Sequence, residues 1–177
     1  MFKSESTINK WHIAGFFWIV IVGSLLHFVY EWSGESSIVA FFSPINESVW
    51  EHLKLGYFSL TFFTIIEYWY LKDKTKNYAL AKTVGIIDMS IFIVVVHYTY
   101  KLIFKDSNVV VDIVIFIIGA FICQLLSSRI MKKNRPRFIN ILGFFLYIII
   151  GILFLIFTFS PPNLPIFEEA MIINYVF

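Results

Sequence analysis

Charge is scarce in this sequence. Asp, Glu, Lys and Arg make up 15% of its 177 residues, where a soluble domain carries about 25%, so the chain lacks the polar surface that a water-exposed fold needs. A formal net charge of +2, with the cations lying in short stretches between apolar runs, excludes the basic stripe of a nucleic-acid-binding protein. Cysteine is nearly absent too. The single Cys123 rules out an intrachain disulfide and any metal site built on paired cysteines. The G-x-S-x-G elbow, the H-E-x-x-H zinc motif and the phosphate-cradling glycine loop are all missing, which removes the common enzyme classes that they mark.

What fills the chain is apolar: 59% hydrophobic residues and a mean hydropathy of +0.79. Five runs are long enough to cross a hydrocarbon layer about 30 Å thick, at residues 11–30, 53–71, 79–104, 109–126 and 138–159. They do not alternate polar with apolar residues, so a barrel is excluded, and lipid would leave any other open backbone unsatisfied. The expected fold is therefore all-α: a single transmembrane domain over residues 1–177, a bundle of about five helices in the cell membrane. The apolar stretch of the first run, Ile13 to Val29, is longer than a signal-peptide core and is followed by Tyr30, Glu31 and Trp32 rather than by a small-residue cleavage pattern, so it is read as a retained helix.

Orientation follows from the cations. Lys3, Lys10, Lys72, Lys74, Lys76, Lys82, Arg129, Lys132, Lys133, Arg135 and Arg137 fall on one side, against Lys54, Lys101 and Lys105 on the other. Positive loops stay inside, which places the N-terminus in the cytoplasm and the C-terminus outside. Trp11, Trp69 and Tyr78 then mark the inner boundary, and Tyr30, Trp32, Trp50, Tyr98 and Tyr100 the outer one, as interfacial aromatics do. The tail, residues 160–177, opens with Pro161, Pro162 and Pro165 and carries Glu168 and Glu169. It suits a short helix on the outer face.

With that orientation the unusual ionisable residues gather at the outer side: His27 and Glu31 on the first helix, Glu47, Glu51 and His52 at the start of the second, His97 near the end of the third. His27 and Glu31 are four apart, as are Glu47 and Glu51, so each pair would share a helix face. Imidazole with carboxylate suits zinc or a related divalent metal, and three or four such ligands can activate water. The candidate ligands are His27, Glu47, Glu51 and His97, with Glu31 or His52 as acid or base. The plainer alternative makes Glu47 and Glu51 first-turn carboxylates at a helix N-terminus capped by Ser43 with Pro44 behind it.

A second pattern runs down the second helix, where Glu47, Glu51, Lys54, Thr61, Thr64 and Tyr68 form a polar stripe expected to face the bundle. Deeper still lie Glu67 and Asp88, each able to pair with a lysine or to share a proton.

The segment Ser43-Pro-Ile-Asn-Glu-Ser-Val-Trp-Glu-His52, followed by Leu53 and Lys54 and preceded by the His27 and Glu31 pair, resembles a family of small bacterial membrane proteins classed as a domain of unknown function. The resemblance covers most of the chain and implies a polytopic membrane protein with a characteristic stretch at residues 46–52. It transfers no catalytic role. Three readings of function follow: a membrane-embedded metal-dependent hydrolase acting on a lipid or envelope precursor, a small transport or permeation protein, and an accessory or assembly subunit. Lipid is the partner that these features imply and nucleic acid is not; a protein partner or a second copy of the chain stays open.

Overall fold

A computed structural model of the chain describes residues 2–105 and 108–168. It consists of five helices, α1 (Phe2–Trp32), α2 (Val49–Leu71), α3 (Tyr78–Phe104), α4 (Val109–Met131) and α5 (Arg137–Phe159), with short 3-10 turns at Val39–Phe41 and Pro165–Phe167. Each of the five predicted apolar runs lies inside one of these helices. Among the described residues there is no strand.

Four helices, α1 from Glu5 onward, α3, α4 and α5, are long and apolar enough to cross a membrane, and they mark a multi-pass membrane protein. Their outward faces carry large apolar side chains such as Phe17, Ile21, Val95, Ile118, Phe145 and Ile149, all exposed, which is the surface that lipid covers. α2 differs in burying three charged side chains. Glu51, Lys54 and Glu67 are each at most 2% exposed, and 11 of its 23 residues are buried, against 5 of 23 in α5. It packs against α1, α3 and α5, so its charges meet protein rather than lipid.

Small residues let the helices approach. A Cβ at Gly143 of α5 would stand 2.6 Å from the Leu80 Cα of α3, and this close contact lets the Thr83 hydroxyl donate to the Gly143 carbonyl at 2.6 Å and the Leu80 N–H donate to Asn140 Oδ1 at 3.1 Å. Such small-residue contacts hold helices together where lipid is as apolar as the side chains. The main apolar core joins Ile19, Leu60, Ile86, Met89, Ala120 and Cys123 from α1 to α4.

The deep carboxylate Glu67 is paired. It lies against the Lys82 ammonium and accepts from the Tyr78 hydroxyl at 2.9 Å, while His12 Nδ1 stands 4.0 Å away. Asp88 is half-buried in the middle of α3, on a different turn from this cluster.

The expected polar stripe is only partly one face. Glu47 precedes the helix, Tyr68 is 45% exposed, and Thr61 and Thr64 donate to their own backbone at Tyr57 and Leu60. What faces inward is a set of interhelix bonds: Lys54 to Thr158, Tyr57 to the Tyr147 carbonyl, Thr61 with the Tyr147 hydroxyl, and Tyr78 with Glu67. The expected tail helix falls partly outside the described residues, which end at Glu168. The described part makes a 3-10 turn whose Phe167 ring packs on Trp50 and Phe157.

Candidate metal site at the junction of α1 and α2

α1 ends in a Schellman turn. Gly34 at φ +68° lets its N–H reach the Glu31 carbonyl and the Glu35 N–H reach the Tyr30 carbonyl, a left-handed step that glycine takes without steric cost. Residues 33–48 then fold back across the end of α1. Ser43, fully buried, fastens this return by donating to the Leu26 carbonyl and accepting from the Tyr30 N–H.

Ser43 is therefore not the cap of α2, and Pro44 is not its first residue. The cap is Ser48, extended at φ −73° and ψ 153°, whose side chain accepts from the Glu51 N–H. Asn46 Oδ1 accepts from the Ser48 N–H and shapes the approach. Glu47 consequently lies before the helix, and its spacing of four from Glu51 does not place the two on one helical face. This is the main correction to the reading of the sequence.

Glu51 turns inward. Its carboxylate accepts from the Lys54 ammonium at 2.7 Å, from the Thr158 hydroxyl at 2.7 Å and from the Ile45 N–H at 3.1 Å. Lys54, 0% exposed, donates in addition to the Ala40 carbonyl and to Thr158, both at 2.9 Å. All three ammonium protons are thereby used. The pair ties α2 and α5 to two points on the returning segment, so Glu51 is a structural anchor rather than a ligand beside Glu47.

His97 also stands apart from the other expected ligands. Its Nδ1 is 2.8 Å from Asp112 Oδ1, and the Tyr100 hydroxyl lies 3.4 Å from Asp112 Oδ2. Asp112, in the first turn of α4 behind the Asn108 cap, was not among the residues singled out, although its position at a helix N-terminus is a signal for a partnered carboxylate.

What the fold does bring together is His27, Glu47 and His52. Their ligand atoms all lie within 4.8 Å of one another, a grouping unique among the described residues. His27 Nε2 is 3.2 Å from His52 Nε2, while Glu47 Oε2 is 3.3 Å from His52 Nε2 and 3.6 Å from His27 Nε2. His52 Nδ1 donates to the Ser48 carbonyl at 2.8 Å, so its Nε2 faces the other two groups; the Glu47 charge favours a proton there, and a metal would take the lone pair once that proton leaves. The His27 ring and then the His52 ring beside it, at 3.6 and 3.3 Å, hold the Glu47 carboxyl well below the usual carboxylate range, so it is an anion throughout the neutral region.

The three side chains are between 31% and 46% exposed. Beside them opens a cavity of about 110 Å³ lined by His27, Tyr30, Glu31, Asn46 and Glu47 together with Glu35. Of the two expected acid or base residues, Glu31 lies in this cavity wall, whereas His52 is in the trio itself.

A family model matches residues 1–177 in full. The chain belongs to DUF6512, a family of unknown function. No curated protein and no solved structure matches it. Membership in DUF6512 agrees with the expectation of an uncharacterised family, and the family brings no activity with it.

Proposed function

We propose that the chain is a five-span protein of a bacterial cell membrane, N-terminus in the cytoplasm, carrying a zinc site at its outer face. In this reading His27, Glu47 and His52 bind the ion, and the site hydrolyses a lipid or envelope precursor. Eleven inner cations against three outer ones support the orientation, and the burial of the charges of α2 supports its passage through the bundle as the fifth span.

One observation carries the metal reading. Zinc held at 2.0–2.2 Å by nitrogen and oxygen ligands in a tetrahedron requires its ligand atoms to stand about 3.3 Å apart, and the three separations here are 3.2, 3.3 and 3.6 Å. Two imidazoles and one carboxylate leave the fourth position open, as in hydrolytic rather than structural zinc sites. A zinc-bound water would lose its proton near neutral pH. Glu31, one turn beyond His27 and in the cavity wall, is the base placed to receive it. The Phe28 ring lies 5.2 Å from the His27 ring and stacks on Trp32, and both are exposed, which supports an amphiphilic substrate lying at the lipid–water boundary.

The test is elemental analysis of untagged protein purified in detergent and supplied with zinc. About one zinc per chain is expected in the parent, none in the His27→Ala, His52→Ala double variant, and retention in Glu31→Gln. Failure of the folded parent to hold zinc against a weak chelator overturns the reading and leaves transport or assembly. Neutralising Asp88 then separates those two, since only transport should respond.

A further inference from the structure

At the end of the bundle opposite the trio, two connections meet. Residues 72–77 join α2 to α3, and residues 132–136 join α4 to α5. Asn77, fully buried, pegs them together: its side-chain amide donates to the carbonyls of Ile130 and Lys133, and Thr75 Oγ1 donates to the Met131 carbonyl at 2.8 Å. Between the two connections lies a hollow of about 550 Å³. Its wall carries Lys72, Lys74, Lys76, Lys132 and Lys133 against the single carboxylate of Asp73, a formal surplus of four positive charges.

The lysines are exposed, yet several are already oriented by the frame. Lys74 donates to the Tyr70 carbonyl at 2.7 Å, Lys132 donates to Asn9 Oδ1, and the Lys72 ammonium lies 4.7 Å over the Trp69 ring. Trp69 is itself 66% exposed on the rim, where an indole sits at the level of lipid headgroups. A positive-inside bias alone asks only for cations in the loops. It does not ask two loops to be hydrogen-bonded together around a shared basic hollow with an interfacial tryptophan at its edge.

We propose that this hollow binds a phosphate-bearing anionic headgroup at the inner membrane face. Five lysines suit the phosphate oxygens as point charges, and Trp69 suits the start of an acyl chain, which favours a lipid over free phosphate. The inference rests on the orientation proposed above and is independent of the zinc site.

The experiment uses the full-length protein in detergent and native mass spectrometry, with phosphatidylglycerol and phosphatidylcholine offered in equal amounts. Retention of phosphatidylglycerol in preference to phosphatidylcholine is expected, falling about 30-fold in the Lys76→Gln, Lys133→Gln double variant, since each lysine near an anionic headgroup is worth about 5-fold. These two are chosen because, among the described residues, neither has a frame-holding side-chain bond of the kind made by Lys74 and Lys132. The comparison variant Arg135→Gln, Arg137→Gln removes the same charge from the same face outside the hollow and should retain the lipid. Added inorganic pyrophosphate that fails to displace the lipid supports the lipid source, and pyrophosphate that displaces it supports a phosphate site filled from solution. Equal losses in the two double variants, or no preference for phosphatidylglycerol, overturn the proposal. Unaltered zinc content in the lysine variant keeps this outcome separate from failure of the outer site.

Discussion

Replacing Lys54 by Met tests whether the buried ion pair holds the trio of His27, Glu47 and His52 in shape. The ammonium makes three bonds, to Glu51, Thr158 and the Ala40 carbonyl, each between 2.7 and 2.9 Å, and none of it is exposed. After the change Glu51 keeps only the Thr158 hydroxyl and the Ile45 N–H, too little for a carboxylate without water. Removing one partner of a buried pair costs about 3–5 kcal/mol, a large share of the roughly 5–15 kcal/mol by which folded chains are stable. Met fills nearly the volume of the Lys stem, so the loss is electrostatic rather than a cavity. Because Ala40 and Ile45 are both held by this pair, the segment bearing Glu47 should loosen as well, with zinc affinity falling by about 10- to 100-fold, as when a supporting partner of a ligand is lost. The assays are unfolding by SDS titration in mild detergent, followed by tryptophan fluorescence, and zinc competition with a chromogenic chelator. The Lys54→Met, Glu51→Leu double variant should regain at least about 2 kcal/mol, since an apolar pair often replaces an ionic one without loss. A single variant within about 0.5 kcal/mol of the parent and with unaltered zinc affinity, or a double variant less stable than the single, refutes the reasoning.

Three further outcomes follow from the same geometry. Glu47, with its folded pKa depressed, contributes stability that is present above its ordinary value of 4.5 and lost as pH falls through its lower folded value, so it stays ionised from pH 5 to 8. Zinc affinity measured over that range should rise with pH as the His52 ring gives up its proton, and Glu47→Gln should both lower the affinity and move that rise to lower pH, because the Glu47 charge favours the protonated ring. His97→Ala removes a contact to Asp112 outside the trio and should leave zinc content unchanged in elemental analysis; loss of zinc would restore His97 as a ligand. Gly143→Ala should destabilise the bundle by about 1–3 kcal/mol in SDS titration, because the new Cβ meets the Leu80 backbone, which has no rotamer to swing away.

The helices were legible because a lipid-spanning run is long and has one solution for its backbone. The candidate site was legible only as a neighbourhood. Helical spacing links Glu47 to Glu51 only if both are in the helix, and two serines compete for the cap. Ser43 stands before a proline, while Ser48 stands three residues before Glu51 in the capping-box spacing. The second pattern was the better guide, and it places Glu47 outside. The choice between Glu51 and His52 was open to a further signal. Glu51 and Lys54 are three apart, hence on one face, and a cation and an anion that neutralise each other can be buried together. The face that they take into the bundle leaves His52, about 100° away, to turn toward α1. No spacing rule could bring His27 to His52, because that contact depends on how residues 33–48 return across the end of α1. Asp112 was missed for the same reason, its partner His97 being on another helix.

The two carboxylates of this segment therefore have opposite tasks, and the division bears on the reaction. Glu51 is sealed in and spends its charge on Lys54, which fixes the frame. Glu47 stays at the surface, 46% exposed, with its charge offered to two imidazoles. A closed four-ligand site would stabilise a fold and exclude substrate. Here the frame is already held by an ion pair, so a metal is not needed to build it, and His27, Glu47 and His52 are free to leave a position open. Glu31 and Glu35 make the adjoining cavity acidic, with no lysine or arginine in its wall. Even with a divalent ion bound, Glu31, Glu35 and Glu47 leave the mouth formally negative. Phosphate would be repelled there, whereas the uncharged carbonyl of an ester or amide could reach the metal. Under the proposed hydrolase reading, this electrostatic arrangement would favour acyl hydrolysis of a neutral or cationic amphiphile over cleavage of a phosphodiester.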